Sequence, residues 1–159
     1  ESLQSILVKE LIKRNESIVF AESCTGGLLS SYITSVSGSS KVFKGGVIAY
    51  SNELKHSLLD VPINLINSFG AVSEEVAESM SIGVKNKLKS DWAISVSGIA
   101  GPDGGSDSKP IGLVYIAITG PNNKIIKIKK QYNPLRNRNE IQRLSVNDCL
   151  NSLRLILLS

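Results

Sequence analysis

Several residue types that metal, thiol and nucleic-acid chemistry depend on are scarce in this chain. His56 is the only histidine, which leaves no room for a multi-histidine metal site. It also makes a Ser-His-Asp set hard to build, because His56 directly follows Lys55 and neighbours on a helix point to different sides. Two cysteines, Cys24 and Cys149, cannot make a Cys-rich zinc site, and their contexts do not suggest a disulfide framework. Aromatic residues make up 5% of the chain, so its densest basic stretch, Lys124-Ile-Ile-Lys-Ile-Lys-Lys130, has little with which to stack bases. That stretch alternates lysine with isoleucine as a half-exposed strand does, and the net charge of +4 is modest and spread out. A nucleic-acid surface is not expected. No apolar run approaches the length of a membrane span, and no signal peptide is visible. The chain begins at Glu1 and not at Met, and reads as a cytoplasmic protein or a domain cut from one.

What is present is the composition of an ordinary globule. At 159 residues, 42% hydrophobic and 20% charged, the chain is long enough for one domain with a proper core. Leu3, Ile6, Leu7, Leu11 and Ile12 predict an opening helix that ends near Asn15. Ser17-Ile-Val-Phe20 reads as a strand, and Leu28, Leu29, Tyr32, Ile33 and Val36 as one face of a helix. Phe43 to Tyr50 predicts a second strand, with glycines where another backbone approaches closely. Ser51 can cap a short helix through Leu59, and Pro62 can start another. Ser73-Glu-Glu opens a longer helix with Val76, Ala77, Met80, Val84 and Leu88 on one side. Trp92 to Val96 and Ile111 to Ile118 are strand-like, and Lys124 to Tyr132 returns antiparallel after the turn Gly120-Pro-Asn-Asn123. A last helix is expected from about Asn137 to Leu158, with Ile141, Leu144, Leu150, Leu153 and Leu157 inward. The expected fold is α/β: a three-layer helix/sheet/helix sandwich on a mixed sheet of about five strands, whose order the sequence leaves open.

The stretch that carries most chemistry is Ala21-Glu-Ser-Cys-Thr-Gly-Gly27, at a strand-turn-helix junction. Such a junction offers unpaired N–H groups and the positive end of a helix dipole. It also holds a carboxylate, Glu22, and three candidate nucleophiles, Ser23, Cys24 and Thr25. A passive turn would use Thr25 as a cap and the glycines for close packing. A second glycine-rich segment, Ser97-Gly-Ile-Ala-Gly-Pro-Asp-Gly-Gly105, follows another strand, and strand carboxyl ends gather on the edge of an open sheet where ligands bind. Two such loops on one edge predict a site. Ser23, at the strand end, is well placed as a nucleophile, and with histidine scarce the base could be a lysine. That requires its pKa to fall from about 10.4 towards 7, by burial or nearby positive charge. Lys55 is the best candidate, since Tyr50-Ser-Asn-Glu-Leu-Lys55 follows the second strand, although spacing alone makes it a surface helix lysine.

Together with Gly38-Ser-Ser40, Gly70-Ala-Val-Ser73 and Lys109-Pro-Ile-Gly112, these motifs strongly resemble the CinA C-terminal domain family, in register over nearly the whole chain. Members of known activity are nicotinamide-nucleotide amidases, so the resemblance implies conversion of nicotinamide mononucleotide to nicotinate mononucleotide and ammonia, in pyridine nucleotide salvage, without a metal or other cofactor. Carried onto matching positions, Ser23 is the expected nucleophile, Lys55 its general base, Tyr50 a hydrogen-bonding assistant, and Ser97 sits by the reacting centre in a place often held by Thr. Substrate contacts are expected from Glu22, Thr25, Gly26, Gly27, Gly98, Gly101, Gly104, Gly105, Arg138 and Arg143. Near the C-terminus the family has a Gly-Asp-Arg run with further arginines. This chain has Arg136-Asn-Arg138 followed by Gln142 and Arg143, so the Gly and Asp are absent and one arginine position is Gln. The expected partner is a small-molecule nucleotide, with no nucleic acid and no membrane, and a homodimer left open. The alternative reading is a low-turnover nucleotide-binding or regulatory domain of a competence- or damage-inducible protein that carries an N-terminal nucleotide-hydrolase domain.

Overall fold

Local signals start and stop most of the helices. A computed structural model describes residues 1–159 and contains six α-helices and five strands. Helix α1 (Leu3–Arg14) opens with Ser2 accepting from the N–H of Ser5 and ends at Asn15 in the left-handed region. Helices α2 (Leu28–Thr34), α3 (Asn52–Leu59), α4 (Ile63–Phe69) and α5 (Glu74–Leu88) follow, then α6 (Arg138–Leu157). Ser51 and Ser73 cap α3 and α5 as their positions imply, and Asn137 with Glu140 forms a full capping box on α6.

Strands β1 (Ile18–Glu22), β2 (Phe43–Ile48), β3 (Trp92–Gly98), β4 (Leu113–Thr119) and β5 (Ile125–Gln131) form one sheet in the order β2-β1-β3-β4-β5. The first three are parallel, while β4 and β5 run antiparallel to their neighbours. The sheet is therefore mixed, and its parallel half brings the carboxyl ends of β1 and β3 side by side, with Glu22 opposite Val96. Alternation along β1 sends Ile18 and Phe20 to one core, with α1, α2 and α6, and Val19 and Ala21 to the other, with α3 to α5. This is the expected three-layer sandwich.

Some local expectations shift. The first strand runs on through Ala21 and Glu22, and the third through Ser97 and Gly98, so residues read as loop lie within the sheet. Ile12 is 39% exposed, and Val8 takes its expected place in the core. On β2, Gly46 lies where a Cβ would stand 3.1 Å from the Phe20 carbonyl oxygen and from Ser30 Oγ, which is the close approach its sequence implied. A tighter contact holds α3 to α5: a Cβ at Gly83 would lie 1.9 Å from the carbonyl oxygen of Leu59.

Candidate active site

Ser23 is the first residue beyond β1, and its N–H donates to the Val96 carbonyl at 3.0 Å, extending the ladder by one rung. The neighbouring chain does the same, with the Ala49 N–H on the Glu22 carbonyl at 2.9 Å. The first bond holds the β1 exit to β3 and the second holds the β2 exit to β1, so the segment that enters α3 passes beside Ser23. Lys55 then lies one turn into α3, on the face it shares with buried Leu59. Its side chain is only 1% exposed. Spacing alone made it a surface lysine, whereas the fold turns it inward.

The Lys55 Nζ lies 3.0 Å from Ser23 Oγ, and donates to the Ala49 carbonyl at 2.9 Å and the Tyr50 carbonyl at 3.0 Å. No carboxylate is among these partners. Burial favours the uncharged amine and lowers the pKa from its ordinary 10.5. A neutral amine has two N–H bonds and one lone pair. With both N–H groups held by carbonyls, the lone pair is left for the Ser23 hydroxyl.

These groups open into a cavity of about 230 Å³ between the β1 and β3 exits, the α3 entry and the start of α6. Ser97 lines it from β3 and donates to the Ala71 carbonyl at 2.8 Å, which ties down the Gly70–Ser73 segment. Gly98, Gly101 and Gly104 line the same side. Arg138, the first residue of α6, reaches across the mouth. Its Nη1 donates to the Gly101 carbonyl at 2.7 Å and its Nη2 to the Tyr50 hydroxyl at 2.6 Å. The guanidinium thus joins Tyr50 to the glycine-rich loop, and neither contact neutralises its charge.

Other expected contacts lie elsewhere. Glu22 is 1% exposed and caps α2: it accepts from the N–H groups of Gly27, Leu29 and Ser30 and from the Thr25 and Ser30 hydroxyls. The helix N-terminus that looked available to a ligand is filled by the protein's own carboxylate, because β1 delivers Glu22 beneath it. Thr25, committed to Glu22 at 2.6 Å, is accordingly neither N-cap nor cavity lining. Gly26 and Gly27 make the turn in the left-handed region, outside the cavity. Gly105 packs on Ile111, where a Cβ would meet Ile111 Cγ1 at 2.9 Å. Arg143 is exposed on α6 and faces away, while Gln142, at the family's arginine position, donates to the Cys24 carbonyl at 3.0 Å and supports the turn.

Cys24 is 5% exposed, and burial pushes its thiol up to about 12, so it stays protonated at neutral pH. Asn52, Ala71, Val72 and Asp103 also line the cavity. They were inside quoted motifs but unassigned, because nothing local tells a lining residue from a spacer. No group of three His, Cys, Asp or Glu side chains converges anywhere in the chain, and no helix is long and apolar enough to cross a membrane.

Known proteins share this fold. A CinA-like protein from Prochlorococcus marinus strain MIT 9215 is 69% identical over 159 residues, the whole of this chain but 38% of that protein. A second, from Prochlorococcus marinus strain NATL1A, is 54% identical over 98% of the chain and 36% of the relative. The chain therefore spans less than two-fifths of these relatives' length. Among solved structures, the competence/damage inducible protein CihA from Agrobacterium tumefaciens superposes with a TM-score of 0.95 at 34% identity, covering 99% of this chain and 94% of that one. A CinA superfamily protein from Klebsiella pneumoniae gives 0.93 at 29% identity, covering 98% and 96% respectively. The sequence model of the CinA C-terminal domain matches residues 1–157, and the chain belongs to that family.

Proposed function

We propose that this chain is a metal-independent amidohydrolase that deamidates nicotinamide mononucleotide, a substrate whose phosphate suits the cytoplasm. The observation that carries this reading is the buried Lys55 amine 3.0 Å from Ser23 Oγ with no acid partner. In the first half-reaction the Ser23 hydroxyl attacks the carboxamide carbon as its proton passes to Lys55 Nζ. The tetrahedral intermediate collapses, the C–N bond breaks, and ammonia leaves with the proton that Lys55 returns. In the second, Lys55 takes a proton from water as that water attacks the ester carbon, then returns the proton to Ser23 Oγ as the C–Oγ bond breaks, releasing nicotinate mononucleotide.

The oxyanion needs donors beside Ser23. The N–H groups of Cys24 and Thr25, next along the turn, donate to no protein acceptor and are the donors of choice. Tyr50, whose hydroxyl oxygen accepts from Arg138, has its own O–H free to donate to substrate. Arg138 is the position for the phosphate, held by neutral acceptors with its charge uncompensated. The test is ammonia release from nicotinamide mononucleotide by the intact chain and by Ser23→Ala. Turnover by the first and none by the second is expected; equal turnover would overturn the assignment. A second reading is a nucleotide-binding domain with little turnover, in which the uncompensated Arg138 holds a phosphate and Ser23 stays unreacted. Tight binding without ammonia release would favour it.

A further inference from the structure

Lysine, arginine and aspartate each contribute one side chain to the cavity lining: Lys55, Arg138 and Asp103. Lys55 is neutral in its working form. The other two are opposite in sign, yet they make no ion pair with each other or with any other residue. Arg138 is anchored on the Gly101 carbonyl and the Tyr50 hydroxyl, and Asp103 stands two residues beyond Gly101 on the same loop, between Pro102 and Gly104. A carboxylate in a cavity meant for a phosphate ester weakens binding unless it meets positive charge. A cavity with separate, unpaired charges of both signs is complementary to a ligand that carries both.

We propose that Asp103 reads the charge of the substrate's ring, so that the site selects a zwitterionic pyridinium nucleotide over its neutral dihydropyridine form. This rests on the amidase reading above. The oxidised nucleotide has a quaternary ring nitrogen and an anionic phosphate, with the carboxamide on the ring. With the amide carbon at Ser23 and the phosphate at Arg138, the cationic ring lies between them, in the cavity that Asp103 also lines. Reduction at the ring removes the positive charge and leaves the amide, ribose and phosphate in place. Only the partner of Asp103 is lost.

Binding is the readout, because reduction also makes the amide carbon less electrophilic and would lower turnover for a reason unrelated to Asp103. Calorimetry with Ser23→Ala, which cannot turn the ligand over, measures the affinities for nicotinamide mononucleotide and its dihydro form. The oxidised form is expected to bind about fivefold more tightly, the scale of one partly exposed charge contact, and high salt should narrow the gap. Adding Asp103→Asn, isosteric and on an exposed loop, should bring the ratio close to one by weakening the oxidised form alone. Equal affinities with Asp103 present, or equal losses for both ligands in Asp103→Asn, would overturn the proposal. Absence of ammonia release with Ser23 intact defeats the amidase reading but leaves the affinity ratio to be judged separately. Failure of both ligands to bind overturns the two together.

Discussion

If Lys55 acts as the neutral base, the reaction must follow its deprotonation. A lysine at its ordinary 10.5 would be neutral at pH 7 in about one molecule in three thousand, too few for an efficient base. Each unit by which burial lowers that value multiplies the neutral fraction about tenfold. Initial rates of ammonia release, measured from about pH 6 to pH 10, should rise about tenfold per unit and then level off at the lowered pKa. Cys24, the other titratable group beside Ser23, is pushed up to about 12 and cannot produce the rise. The same proton links to stability. The folded chain holds it less tightly than the unfolded one, so below the folded pKa the full penalty for charging Lys55 stands. The penalty fades as pH climbs to the unfolded value near 10.4, and each unit of lowering corresponds to about 1.4 kcal/mol. Urea unfolding at several pH values should show that gain in wild type and none in Lys55→Met. Lys55→Arg, which stays protonated, should be nearly as inactive as Lys55→Ala. A rate independent of pH, or substantial activity in Lys55→Arg, would refute the base assignment and make the lysine an electrostatic anchor.

Ser23→Ala should cut turnover by several orders of magnitude while nucleotide still binds, as calorimetry beside an ammonia assay would show; near-normal release would leave the reaction without its nucleophile. Arg138→Ala should raise the Michaelis constant for the mononucleotide far more than for the phosphate-free riboside, and added salt should mimic it; equal losses would mean the arginine only ties Tyr50 to the loop. Glu22→Ala strips the cap from α2 and should cost about 2–4 kcal/mol in urea unfolding. Unchanged stability would return Glu22 to the list of substrate contacts.

The sequence disclosed what is local. Ser51, Ser73 and Asn137 cap helices because each offers a short oxygen-bearing side chain just before a periodic segment, and the Lys/Ile alternation in β5 marks a half-exposed strand without reference to anything distant. Strand order was not legible, since β1 lies between β2 and β3 through pairings that join residues from Ile18 to Val96. The burial of Lys55 was not legible in its spacing for a similar reason. Its i,i+4 relation to Leu59 was visible, but a lysine on an apolar face is recognised as buried only once the exits of two strands bring acceptors to it. The role of Glu22 was hidden because β1 runs two residues further than its apolar core suggests, which moves the carboxylate from the turn to the floor of a helix. Position and the scarcity of histidine nominated Ser23 and Lys55, and the resemblance to a family reinforced the pair; the geometry adds the burial and the 3.0 Å approach.

The contact between Gly83 and Leu59 has a bearing on how this protein could drift. Leu59 is one helical turn from Lys55, so whatever positions one end of α3 positions the amine. An alanine at 83 would put a methyl carbon 1.9 Å from the Leu59 carbonyl oxygen, and α3 would have to slide outward to admit it. A movement of about 1 Å is enough to spoil a proton transfer. The approach of Lys55 to Ser23 is thus gauged from behind, by the missing carbon of a residue that lies outside the cavity. On the amidase reading, a variant could keep every cavity residue, fold, bind nucleotide, and still lose turnover through a single methyl group on the far side of the helix that carries Lys55.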